Sequence, residues 1–302
     1  MTTDRFDRAL ASLRGLAVGD ALGSQFFVPS NLPALRGREL PPGVWQWTDD
    51  TEMACSVLAV LAGHGHIDQD ALAASFAERH DFDRGYGPAV NRMLRLVREG
   101  GDWRALAAGL FDGQGSWGNG AAMRVAPLGA WFAGEPERAA HEAERSALTT
   151  HRHREAVAGA TAVAVAACLV ADASGPPPGP EELLTGVLEL LPRSAVHAGV
   201  GRARDMLDYG DVATVAAVLG SGRRTSAHDT VPFTLWAAAR HLGDYEQALW
   251  ATAQAGGDVD TTCAIVGGIV ACGPGVPVPA TWAGRTEELP AWLPAVPAER
   301  TG

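Results

Sequence analysis

The chain has 302 residues, 47% of them hydrophobic and 20% charged, with a mean hydropathy of 0.00, enough apolar material for one large core or two modest ones. Its formal net charge is −11, and all 24 basic residues are Arg. The absent lysine excludes Schiff-base chemistry and the P-loop lysine, while the acidic balance argues against a general nucleic-acid or membrane binder, since both need a positive field.

The first fifteen residues carry charge throughout and lack the apolar core of a secretory signal, so a cytoplasmic location is expected. Helical periodicity then dominates. It covers Phe6 to Val18, Met53 to Leu61, Ala71 to Ala77, Ala89 to Val97, Ala139 to Leu148 and Ala156 to Val170. It continues over Leu183 to Leu191, Ala195 to Leu207, Val212 to Leu219, Pro232 to Ala239, Tyr245 to Ala253 and Thr261 to Ala271. Strand signals are scarce, and the expected fold is a compact all-α bundle, one domain over residues 1–302. The uncharged run Ala156 to Ala171 reads as a buried helix that falls short of a membrane span. Ala173 to Pro180, ASGPPPGP, breaks the pattern as an exposed loop. The Pro-rich tail from Gly273 has Trp282 and Trp292 to pin it to the body. Cys55, Cys168, Cys263 and Cys272 sit singly in apolar segments and read as reduced core residues.

Two acidic helix starts carry chemistry. In Thr48-Asp49-Asp50-Thr51-Glu52, Thr48 suits an N-cap and the acids suit the first turn. In Gly256-Gly257-Asp258-Val259-Asp260-Thr261, two aspartates one residue apart precede an apolar helix. Either alone is explained by capping. Together they place four carboxylates and two hydroxyls where burial makes them repel, and divalent cations relieve that repulsion. Oxygen donors without His or Cys favour Mg²⁺, Mn²⁺ or Ca²⁺, and six of them suit a two-metal site.

The loop Gly115-Ser116-Trp117-Gly118-Asn119-Gly120 reads either as a tight turn or as an anion cradle that needs no lysine, with Ser116 and Asn119 adding neutral donors. Arg124 beyond it is either a phosphate contact or a buried structural ion. Gly85-Tyr86-Gly87 reads as an ordinary loop or a second ligand-facing turn. His151 and His153 lack the i, i+4 spacing of a zinc pair, which points to hydrogen bonding. Asp20, an acid inside GLAVGDALG, is expected to be buried and structural.

GDALG at 19–23, TDDT at 48–51, GYG at 85–87, SWGNGAAMR at 116–124, THRH at 150–153 and GGDVDTT at 256–262 resemble, in this order, the motifs of the ADP-ribosylglycohydrolases. The resemblance runs from about residue 10 to about residue 285. It implies an all-helical fold with two Mg²⁺ or Mn²⁺ ions held by Thr48, Asp49, Asp50, Asp258, Asp260 and Thr261. It also implies that Gly85, Tyr86, Gly87 and Ser116, Trp117, Gly118, Asn119, Gly120 surround ADP-ribose, with Trp117 on the scissile ribose and His151 hydrogen-bonding nearby. Relatives often carry a lid glutamate where Phe27 stands here, so either another acid replaces it or the lid works differently.

The expected activity is metal-dependent hydrolysis of the C1″ bond between ADP-ribose and an arginine or serine acceptor on a protein or a small molecule, with Asp49 or Asp50 moving the proton. Hydrolysis of another ribosyl or nucleoside substrate, or silent ADP-ribose binding, are the alternatives. The protein is expected to act as a monomer, without general nucleic-acid binding or a membrane, although a nucleic-acid end stays open as an acceptor.

Overall fold

The computed structural model describes residues 2–172, 174 and 176–293. Among them there is no β-strand, only the isolated bridges Trp45 with Thr286 and Gly118 with Ser226. Sixteen α-helices follow one another: α1 (Thr2–Ser24), α2 (Leu32–Gly37), α3 (Asp49–His64), α4 (Gln69–Arg79), α5 (Pro88–Arg98), α6 (Trp103–Gly109), α7 (Ala126–Trp131) and α8 (Pro136–Leu148). Then come α9 (Arg154–Ala171), α10 (Pro180–Leu190), α11 (Ala195–Asp205), α12 (Val212–Leu219), α13 (Ala227–Arg240), α14 (Tyr245–Gln254), α15 (Val259–Val270) and α16 (Ala280–Ala283). The expected all-α class holds, and each periodic segment lies in or over a helix.

Helix α1 packs most extensively against α15, and the reason is sequence-borne. Gly15, Gly19 and Gly23 recur every four residues, so they form one stripe on α1. A Cβ on Gly19 would stand 2.2 Å from the Cys263 carbonyl oxygen, and one on Gly23 2.5 Å from that of Val259. The two backbones therefore touch, which carries Asp20 of α1 to the start of α15.

Helix α9 is long and apolar enough to cross a membrane by length and composition, where the sequence run was expected to fall short, yet 83% of it is buried against other helices. It lies among α7, α8, α10 and α13, and its Ala and Gly faces admit these neighbours closely. One contiguous apolar core reaches from Phe6 to Trp282, and all four cysteines are buried free thiols. Helix α13 begins at Ala227, five residues before the periodic segment that starts at Pro232. Pro232 thus sits inside the helix, where its ring fills the space left by Gly199. Trp282 pins the tail against Tyr245 and Trp250, and Trp292 lies under the Arg79 guanidinium.

Candidate active site

Successive residues on a helix rotate by about 100°, and the first turn of α3 uses this to send four neighbours to four tasks. Asp49 faces a cavity of about 450 Å³. Asp50 lies buried beneath it. Thr51 turns to α1, where its amide and hydroxyl both donate to Asp20 Oδ2, at 3.1 and 2.6 Å. Glu52 turns to the 81–87 loop, accepting from the Asp81 amide at 3.1 Å and from the Tyr86 hydroxyl at 2.6 Å.

Thr48 occupies the N-cap position of α3, but its side chain makes no capping bond. Its hydroxyl donates to Asp20 Oδ1 at 2.8 Å and lies 3.0 Å from Asp50 Oδ2, while its amide donates to Asp20 Oδ2 at 2.9 Å. Asp20 thus caps α3 from another helix. This agrees with its expected structural role: it is fully buried and accepts four bonds from Thr48 and Thr51.

Asp258 repeats the pattern at α15. It stands at the N-cap without a capping bond, and its Oδ2 accepts from Asn119 Nδ2 at 2.6 Å. Gly256 and Gly257 precede it at φ of 66° and 85°, and a Cβ on Gly257 would lie 2.0 Å from the Ser221 carbonyl oxygen. Only glycine fits there. Thr261 reaches towards Asp50 Oδ2 at 3.5 Å, so the two acidic segments, 211 residues apart, meet.

Asp49, Asp50, Asp258 and Asp260 form one electrostatic group around Asp20. Burial first, then the charge of Asp20, lifts Asp49 from its ordinary range to about 8. The same two causes raise Asp50, and burial followed by the charge of Asp258 raises Asp260. Among the described residues no Arg pairs with any of them. Asp50 Oδ1 is buried without a hydrogen-bond partner. No three described carboxylate, imidazole or thiol groups converge on one point at ligand distance. The fit to divalent cations is therefore one of donor chemistry and charge: hard oxygens, uncompensated, with one buried lone-pair site open.

The glycine loop is more fully engaged than its sequence suggests. The Gly118 amide donates to Ser116 Oγ at 3.2 Å, and the Asn119 amide to the Thr225 carbonyl at 3.0 Å. Both Asn119 Nδ2 hydrogens are committed, to Asp258 and to Thr230 Oγ1. Asn119 is thus a bracket for Asp258 rather than the anion donor expected of it. Arg124 is the buried structural ion of the two readings. Its guanidinium is fully buried, donates to the Gly120 and Ser146 carbonyls and to Thr150 Oγ1, and lies over the Phe76 ring.

That network also reaches His151. Thr150 Oγ1 accepts from Arg124 and lies 2.8 Å from His151 Nδ1, a contact for which either atom can supply the hydrogen. Burial first, then the Arg124 charge, pushes the imidazole down to about 3, which leaves it neutral at pH 7. Nε2 faces the glycine loop. A Cβ on Gly118 would lie 3.2 Å from that atom, so the loop rests on the ring.

The cavity gathers Asp49, Gly85, Gly87, Ser116 to Gly120, His151, Asp258, Asp260 and Thr261. Tyr86 is the exception among the expected substrate contacts. Its ring is buried against His80 and its hydroxyl holds Glu52, so it fixes the turn whose glycines face the cleft. Thr48, half-buried, and Asp50, buried, are not part of the lining, and Phe27 is exposed in the turn Gln25–Phe27, also outside it.

Two features went unread in the sequence. Phe111, at φ 53°, packs 5.1 Å from Trp117 to make an aromatic rim. The loop 220–226 brings Arg224 and Thr225 to the cavity. Gly220 and Gly222 at positive φ were the available signal for that loop.

The chain matches a family model described as ADP-ribosylglycohydrolase over residues 1–300. It is 33% identical over 290 residues to an uncharacterised protein of Archaeoglobus fulgidus, covering 89% of this chain and 88% of that one. It is 26% identical to the human ADP-ribosylhydrolase ARH3, covering 89% of this chain and 86% of that one. A solved structure described as an ADP-ribosylglycohydrolase-related protein complex superposes with a TM-score of 0.65 at 28% identity, over 94% of this chain and 93% of the other.

Proposed function

The chain belongs to the ADP-ribosylglycohydrolase family, and from that premise we propose that it cleaves the C1″ bond joining ADP-ribose to an arginine or serine acceptor. Water supplies the hydroxyl to C1″, and the acceptor leaves with a proton. The observation that carries the reading is the group of aspartates without cationic partners beneath a cavity walled by two glycine turns and an aromatic rim.

Thr48, Asp49, Asp50, Asp258, Asp260 and Thr261 would hold two Mg²⁺ or Mn²⁺ ions, which supply charge neutralisation and polarisation of the ribose hydroxyls when bound. Asp49 is on the cavity wall and Asp50 is not. Of these two, Asp49 is therefore the carboxylate within reach of the reacting atoms, and it exchanges a proton with the attacking water or the leaving acceptor. His151 hydrogen-bonds the ligand from the cavity wall, and Arg224 meets the diphosphate charge at the mouth. The base stacks on the rim of Phe111 and Trp117, which moves Trp117 from the scissile ribose to the far end of the ligand. Asn119 keeps Asp258 aimed.

The test is release of free ADP-ribose from arginine- and serine-linked peptides, with simple nucleosides as a third substrate, in Mg²⁺, in Mn²⁺ and after chelation. Release is expected from the peptides with metal and not after chelation. Asp49→Asn should lower kcat by at least about 100-fold. Full activity in an Asp49→Ala/Asp50→Ala protein would sink the proposal.

A further inference from the structure

A second cavity, of about 860 Å³, opens beside the cleft between the end of α4 and the outer face of α5. Pro88 lines both. Three arginines spaced along α5, Arg92, Arg95 and Arg98, face this groove, and all are exposed. Among the described residues none of the three has a carboxylate within salt-bridge distance. In a chain of net charge −11, free arginines gathered in one groove need a reason.

The groove has a fixed floor. Arg98 Nε donates to the Ala77 carbonyl and Nη2 to the His80 carbonyl, each at 2.6 Å, so its cation is held against the end of α4. His80 lines the groove, is 8% exposed, and has a buried Nε2 with no hydrogen-bond partner. Its burial and the Arg98 charge push the imidazole below its ordinary range. Phe82, 69% exposed, adds an apolar surface to the same wall. The one carboxylate in the lining, Asp81, accepts from the Asp83 amide and lies 3.7 Å from Arg84 Nε.

We propose that this groove binds an acidic segment of the acceptor protein, next to the residue that carries ADP-ribose, and so selects substrates by their flanking carboxylates. Guanidinium forks match carboxylates in pairs. An exposed Phe beside them suits a peptide, which brings apolar side chains along with its charges. A nucleic acid would present only phosphates to a wall that is partly apolar, and it would meet the negative field of the rest of the molecule. The proposal rests on the glycohydrolase reading for its meaning, but the groove's binding is measurable without turnover.

The experiment has two arms on the full chain. In the first, fluorescein-labelled peptides without ADP-ribose, one acidic and one neutral, are titrated by anisotropy at low and high salt, with an oligonucleotide of equal charge alongside. The acidic peptide should bind, weaken with salt, and weaken about five- to tenfold in Arg92→Ala/Arg95→Ala. Arg98 is left intact because it ties α4 to α5. In the second, ADP-ribosylated peptides that differ only in flanking charge are hydrolysed. The double variant should raise KM for the acidic substrate by a similar factor and leave kcat, and KM for ADP-ribosyl-arginine itself, unchanged.

Equal binding of acidic and neutral peptides, or a double variant that binds the acidic peptide as wild type does, overturns the proposal. So does an oligonucleotide that binds when the peptide does not. Acidic-peptide binding without any hydrolysis would leave the groove standing and remove the glycohydrolase reading, whereas hydrolysis indifferent to flanking charge would do the reverse.

Discussion

Asp20 uses its oxygens on the amides and hydroxyls of Thr48 and Thr51, and its charge is then felt by Asp49, Asp50 and Asp260. A carboxyl raised in the folded state stabilises the fold at low pH and loses that stabilisation as pH rises through its folded value. Asp49 sets the window: from its ordinary value of 3.8 up through about 8, with Asp50 and Asp260 raised in the same direction. Metal-stripped protein should therefore melt roughly 3 °C or more lower at pH 8 than at pH 5. Mg²⁺ should restore more stability at pH 8, where the acids are ionised and able to bind it. Melting curves at both pH values, with and without Mg²⁺, check this, and a metal-free Tm that climbs towards pH 8 would contradict it. Removing one repelling charge should act similarly. Asp260→Asn is expected to stabilise the metal-free protein by about 1 kcal/mol while abolishing activity, read from urea unfolding and ADP-ribose release. The sequence made the acids legible as a group because both helix starts carry paired carboxylates. It could not show that Thr48 and Asp258 decline the capping bond their positions offer, since the competing partners, Asp20 and Asn119, lie 28 and 139 residues away. For the same reason Asn119 read as a donor to ligand and Tyr86 as a cleft residue.

At the scale of helices, the acids meet because α1 and α15 touch along Gly15, Gly19 and Gly23. GDALG was legible as a motif through its acid, whereas the work of its glycines depends on which helix lies opposite. A methyl at Gly19 has nowhere to go, because the atom it meets is a carbonyl of the α15 backbone at 2.2 Å. Gly19→Ala should push the helices apart, cost about 2–3 kcal/mol of stability, and lower metal affinity by separating Asp20 and Thr48 from Asp260. Chemical denaturation together with Mg²⁺ titration by calorimetry measures both, and an alanine variant of wild-type stability would refute the contact. By contrast Gly63, where a Cβ would meet nothing within 4 Å, should accept alanine without that loss. The long helices were readable from period because each buries a continuous apolar face. The short α2, α6, α7 and α16, of 6, 7, 6 and 4 residues, contain too few turns for a period to register and are fixed by tertiary packing.

Across the whole molecule the cleft draws on segments from Asp20 to Thr261, and one more contact closes it from beyond α15. Arg84 donates to Glu287 through both terminal nitrogens, at 2.7 and 2.8 Å, and to the Trp47 carbonyl at 3.0 Å, with its guanidinium 3.6 Å from the Trp47 ring centre. The tail pairs there as well: the Trp45 amide donates to the Arg285 carbonyl, and the Glu287 amide to the Trp45 carbonyl. One half-buried side chain thus joins the turn before Gly85, the residue before Thr48, and the tail. The forked geometry and partial shielding place this pair above an ordinary surface bridge. A double-mutant cycle with Arg84→Gln and Glu287→Gln should give a coupling energy of about 1–2 kcal/mol. Both single variants should weaken metal and substrate binding more than they lower kcat, because they loosen the entry to Thr48 and Asp49 without touching the reacting atoms. Additive effects in the cycle would show that the tail is merely laid on the body and that the cleft is complete without it.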